Sequence, residues 1–63
     1  MADKAQFEIF KDKADPSKFR FRFRATNGEI VAQSEAYNSK DSAKNGIRVI
    51  RTEAAGAVDQ DLT

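Results

Sequence analysis

Three features of this chain predict an α+β unit: an antiparallel sheet of three strands, one helix packed on it, and a short C-terminal strand or arm, in the order β-β-β-α-β. The first is the run Phe19-Arg20-Phe21-Arg22-Phe23-Arg24, whose strict alternation sends three rings to one side of a strand and three guanidinium groups to the other. The second is Asn27-Gly28, a dipeptide that tolerates the two positive φ values of a type I′ turn and so predicts that the strand folds straight back on itself. The third is the recurrence of Ala43, Ile47, Ile50 and Ala54 at helical spacing, behind a Ser39 able to cap the helix start.

The elements follow in order. Residues 6–11 suit a strand, with Phe7 and Ile9 on one side and Glu8 and Phe10 on the other. The segment Asp12-Lys13-Ala14-Asp15-Pro16-Ser17 reads as a loop, because Pro16 fixes φ, lacks a donor and pushes Asp15 out of the helical region. A second strand covers residues 18–25 and a third residues 30–37. A two-residue loop at Asn27 and Gly28 would set Thr26 opposite Glu29, Ala25 opposite Ile30, Phe23 opposite Ala32, Phe21 opposite Ser34 and Phe19 opposite Ala36. On the other face Arg24 would meet Val31, Arg22 Gln33, Arg20 Glu35, and Lys18 Tyr37. Large residues thus face small ones over the Phe row, leaving room for the helix. Within that helix, Asp41 lies in the first turn, where the dipole favours an anion. Gly46 lies mid-helix at a cost of about 1 kcal/mol relative to Ala, so its use is close approach of the backbone to a ring beneath. Gly56 is the expected helix stop. In the tail, Val58 and Leu62 share one side.

Size and composition bound what such a unit can be. A chain of 63 residues is one domain, residues 1–63, and a fold of this size buries only about 60% of the surface its unfolded chain exposes. Small folds are commonly helped by disulfides, a metal or a partner subunit. Cys and His are both absent, and no loop has the alternating oxygen ligands of a calcium site; the expectation is no metal, no cofactor, and stabilisation by self-association into a homodimer. Phe10 is the leading interface residue, because an aromatic opposite the Phe row has nothing within one unit to cover it. Val31, Val58 and Leu62 join it. The formal net charge of +1, with a third of the residues charged and both signs dispersed, points to no polyanionic partner. Met1-Ala2-Asp3-Lys4 leads into a polar segment and no window reaches the ~18 apolar residues of a membrane span, so a cytoplasmic protein without signal peptide or membrane anchor is expected.

Candidate sites are few. Arg20, Arg22 and Arg24 form the sharpest one, since guanidinium forks bind phosphates bidentately and Tyr37 could stack on a base. The competing reading, which the facing Glu35 and the near-neutral charge favour, is a solvated or subunit-interface face that blunts edge pairing. Catalysis lacks equipment. The available bases are carboxylates and Lys, Glu29 and Glu35 would share a face about 20 Å apart, too far for a catalytic pair, and Ser39 has no base to activate it. Asp59 and Asp61 share a side but are terminal solubilising charges. Tyr37 reads as a core-edge ring with a wet hydroxyl.

The run Phe21-Arg22-Phe23-Arg24-Ala25-Thr26-Asn27-Gly28-Glu29-Ile30-Val31-Ala32, then Ser34-Glu35-Ala36-Tyr37, Ser39-Lys40, Ser42-Ala43, Asn45-Gly46-Ile47 and the closing Asp61-Leu62-Thr63, resembles the YegP-like family of small uncharacterised bacterial proteins over nearly the whole chain. The resemblance implies a three-strand, helix, strand unit that occurs twice in a longer chain or once in a short chain forming an intertwined dimer. A longer first turn with Asp15-Pro16-Ser17 departs from the family pattern. The family carries no agreed activity and so supplies no catalytic, cofactor or ligand residues. The sequence thus predicts a small non-catalytic dimeric module with a binding or interaction role and an unidentified small-molecule or protein ligand. The alternative is a weak nucleic-acid binder using the Arg20, Arg22 and Arg24 face.

Overall fold

In the structure, a computed structural model describing residues 4–63, three strands pair in the order β1-β2-β3: β1 Gln6–Lys11, β2 Phe19–Arg24 and β3 Ile30–Gln33. The reading of Met1-Ala2-Asp3 lies outside the described residues. Both pairings are antiparallel. Phe7 lies opposite Phe23 and Ile9 opposite Phe21, so the apolar residues of β1 join the Phe row of β2 on one face, while Glu8 and Phe10 lie opposite Arg22 and Arg20 on the other.

The loop from β1 to β2 is organised by two carboxylates. Asp12, buried, accepts the Asp15 N–H at 2.8 Å and the Arg20 Nε–H, and Asp15 accepts both the N–H and the hydroxyl of Ser17. These side chains satisfy backbone donors that the loop would otherwise leave to water.

The β2–β3 turn corrects the predicted type I′ geometry. Gly28 has φ +90°, whereas Asn27 keeps a negative φ. The Gly28 N–H donates to Ala25 C=O and the Ala25 N–H to Glu29 C=O, so the loop has three residues, Thr26, Asn27 and Gly28. A right-handed turn closed by one left-handed Gly is the other common hairpin solution, and here Asn27 Oδ1 secures it by accepting the Glu29 N–H at 3.0 Å. Ala25 therefore faces Glu29 and Arg24 faces Ile30, and a bulge at Val31 restores the predicted register at Phe23–Ala32 and Arg22–Gln33.

A second irregularity follows. Ser34 donates its N–H to Phe21 C=O, but its hydroxyl accepts the Phe21 N–H while its own carbonyl turns to Arg20 Nη1. The ladder loses its step there, and the next contact pairs Phe19 with Tyr37 instead of with Ala36. A slip of one residue exchanges the faces of a strand. Tyr37 consequently lies on the Phe side, stacked on Phe21 at 5.9 Å, and not beside the arginines. Arg20 likewise meets Asp12 and Ser34, not Glu35.

Helix α1, Lys40–Glu53, begins where Ser39 Oγ accepts the Ser42 N–H at 3.0 Å, with Asp41 in the first turn. Its Ala43 and Ile47 are buried with Phe21, and Phe7, Ile9, Phe19 and Tyr37 pack around them. Gly46 serves close approach as expected: a Cβ there would stand 2.7 Å from the Tyr37 hydroxyl and 3.0 Å from the Phe21 ring. A 3-10 turn, Ala54–Gly56, ends the helix without the left-handed glycine expected at Gly56. Beyond it residues 57–63 run out as an exposed arm, with no strand formed.

Candidate functional site

Two surfaces carry the sequence-predicted residues, one on each side of the sheet. On the arginine side the β1–β2 register places Glu8 between two guanidiniums. Arg22 Nε donates to Glu8 Oε1 at 2.7 Å, and Arg24 reaches both carboxylate oxygens, at 3.1 and 3.2 Å, while its Nη1 holds Gly28 C=O at 2.6 Å. Arg24, then Arg22 and the Gln6 amide, hold the Glu8 carboxyl down at about 2. Arg20, then the Asp15 N–H, lower Asp12 in the same way. The arginine row is therefore engaged by two carboxylates of its own chain. Neither was assigned as its partner from the sequence, which set Glu35 opposite Arg20 and no carboxylate opposite Arg22 or Arg24. The signal was present: once Phe7 and Ile9 are matched to the Phe row, parity puts Glu8 on the arginine side.

Phe10 lies on this same side, half-buried, with the Arg22 guanidinium over its ring at 4.9 Å. The unit thus supplies Phe10 with a partial cover that the sequence did not foresee. Val31, the bulged residue of β3, is 64% exposed.

The other surface is an apolar groove. Helix α1 lies over β1 and β2 and leaves β3 uncovered, so the expected cover of the Phe row is incomplete. The result is an open groove of about 520 Å³ between the C-terminal half of the helix and β3, walled by Phe7, Phe21, Phe23, Ala32, Tyr37 and Ile50. Phe23 meets Ala32 across the strands, and this large-to-small pairing makes the depth. Gln33, Glu35 and Arg51 also line it, and the Ser34 hydroxyl is already committed to Phe21 N–H and Glu35 C=O. Such a groove can bury apolar side chains; it presents no nucleophile with an adjacent base. The described residues contain no group of three or more His, Cys, Asp or Glu placed to hold a metal ion. No helix among them is long and apolar enough to cross a membrane. Val58 and Leu62, the last of the expected interface residues, are 86% and 84% exposed on the arm.

Comparison with known proteins places this architecture. The family described as Domain of unknown function (DUF1508) matches residues 14–61. The chain is also 52% identical over 58 residues to the UPF0339 protein Atu5359 of Agrobacterium fabrum, covering 92% of this chain and 90% of that protein. The chain belongs to the UPF0339 family, whose members are the YegP-like proteins. The fold agrees with that of a protein from Haloferax volcanii solved in solution by NMR: TM-score 0.80 and 42% identity, over 97% of this chain and 98% of that one. A UPF0339 protein of Stutzerimonas stutzeri, encoded in a ptx operon 5′ region, is 42% identical over 48 residues, but these make up only 41% of its length. Family members therefore include chains of this size and chains more than twice the matched length.

Proposed function

We propose that this UPF0339 chain is a non-catalytic interaction module that works as a homodimer, each copy's arm lying in the other's groove. The observation that carries this reading is the juxtaposition of an open apolar groove, an unpaired β3 edge, and an arm whose two apolar residues find no cover in their own copy. Val58 and Leu62 are four residues apart, so in an extended arm they point the same way about 13 Å apart. Burying each is worth about 1.5–3 kcal/mol, and main-chain pairing along β3 adds register. Ala57 leaves the 3-10 turn extended, at φ −72° and ψ 142°, and a second copy can deliver its arm without a reversal of the chain there. A relative of more than twice the matched length fits the same reading, since the two units that the YegP-like resemblance implies for a longer chain would associate intramolecularly.

A non-catalytic role rests on the groove's apolar walls and on the pairing of the best-placed carboxylates with arginines, which keeps them ionised and poor as general bases at neutral pH. The arginine row keeps three guanidiniums against two carboxylates, one positive charge in excess, too little by itself to hold a polyanion.

The test uses the chain's lack of native cysteine. Chains carrying L62C and chains carrying A32C, mixed and oxidised, should give a disulfide-linked heterodimer. Sedimentation at micromolar concentration should show a dimer for the unaltered chain and a monomer after removal of residues 57–63. A monomeric full chain would overturn the reading. A doubly substituted L62C/A32C chain that closes its disulfide only within itself would leave the groove filled but the dimer refuted.

A further inference from the structure

The cations that the sequence reading passed over lie on the helix. Lys40, Lys44, Arg48 and Arg51 are all exposed, and at 3.6 residues per turn they fall within an arc of about 80°, strung along about 16 Å of the α1 axis. They flank the buried Ala43–Ile47 stripe on the side of β1, where Lys44, Arg48 and Arg51 line a shallow depression with Phe7 and Ile9. Among the described residues no carboxylate lies within ion-pair distance of any of the four. Arg48 donates to Asn45 Oδ1 at 2.7 Å, and the Arg51 guanidinium lies over the Phe7 ring at 5.5 Å. Of the helix's two acidic residues, Glu53 falls on the far side, and Asp41, at the margin of the arc, shares a depression with Lys44 and Arg48 without coming within ion-pair distance of either. The contrast with β2 is sharp: there the arginines are consumed by Glu8 and Asp12.

We propose that this stripe is a binding surface for the sugar-phosphate backbone of a single-stranded nucleic acid. A regular series of uncompensated cations, about 6 Å apart from Lys40 to Lys44 to Arg48, suits a linear polyanion. The Arg51 guanidinium, seated on Phe7 with its outer face free, offers a plane on which a base can stack. A single strand, flexible and with its bases unpaired, can follow this row of cations and present a base to Arg51. An anionic membrane fits less well, because the exposed apolar residues Val49, Ile50, Val58 and Leu62 are not on the stripe. This surface meets the apolar groove at Phe7 and Arg51, which line both, whereas Lys40, Lys44 and Arg48 lie outside the groove and do not depend on the proposed dimer.

The experiment is fluorescence anisotropy of the full chain with a labelled 20-nucleotide strand, from 20 to 200 mM salt. Four neutralised phosphates give a slope of log affinity against log salt of about −3, a fall of roughly 50-fold between 50 and 200 mM. The variant K40Q/K44Q/R48Q, whose side chains are all exposed, should bind at least tenfold more weakly with an unchanged circular-dichroism spectrum, and K40R/K44R should bind as the wild type. A K13Q variant, in the β1–β2 loop and off the helix, should stay within twofold. The proposal is overturned if the wild type does not bind at 20 mM salt, or if both Gln variants lose affinity alike. It is also overturned if polyglutamate displaces the strand as well as unlabelled oligonucleotide does, which would point to an acidic protein, or if phosphatidylserine vesicles bind while the strand does not.

Discussion

Protonating Glu8 would leave Arg22 and Arg24 side by side with no carboxylate between them, so the arginine face of the sheet is acid-sensitive by construction. The Glu8 carboxyl titrates at about 2 in the folded chain against an ordinary value of 4.5. A carboxyl lowered on folding stabilises fully above its unfolded value, and that contribution is lost as pH falls towards the folded one. Stability measured by denaturant should therefore decline between about pH 4.5 and 2, with Asp12 adding to the fall in the same direction. In E8Q the decline should be shallower and the stability at pH 7 lower; identical profiles for the two chains would show that Glu8 is not the group responsible. Gly46 makes a second test. G46A gains about 1 kcal/mol of helix propensity, yet the new methyl meets the Phe21 ring, which is buried and cannot retreat, and the Tyr37 hydroxyl, which can be deleted. A net loss of about 1–2 kcal/mol is expected in thermal melts, and a smaller one when G46A is made in a Y37F background.

At the scale of single elements, both hairpin turns and the start of α1 are held by named side chains. Ser39 caps α1, and S39A should cost about 1 kcal/mol, seen as a lower melting temperature. Gly28 has no neighbour that a methyl would strike, but its φ of +90° strains any other residue, so G28A should destabilise by about 1 kcal/mol while leaving the β2–β3 pairing intact. The elements also show where sequence reasoning stops. The alternation of β2, the Ser39 cap and the close approach at Gly46 are local patterns and could be read directly. The turn type could not, because Asn-Gly serves both a two-residue loop and the three-residue one found here. Nor could the slip that moves Tyr37 across the sheet: it depends on Arg20 capturing the Ser34 carbonyl, an interaction between residues 14 positions apart.

For the whole molecule, the incomplete roof over the sheet is the dominant fact. A unit with Phe21, Ala43 and Ile47 as its buried apolar residues is thinly stabilised, and the groove over Phe23 and Ala32 is where further burial is to be gained. If arms are exchanged, the melting temperature of the full chain should rise with protein concentration, and that of a chain lacking residues 57–63 should be lower and concentration-independent.

Alternation, capping and composition by themselves determined the strands, the helix, which residues turn apolar or charged faces outward, and the absence of cysteine and histidine chemistry, because each is a property of neighbours in the chain. Tertiary structure alone decided that Glu8 and Asp12 neutralise the arginine row, that the helix leaves β3 bare, and that the uncompensated positive charge runs along α1. Those outcomes depend on register and on how far one element reaches over another, and both are set by contacts between residues distant in sequence.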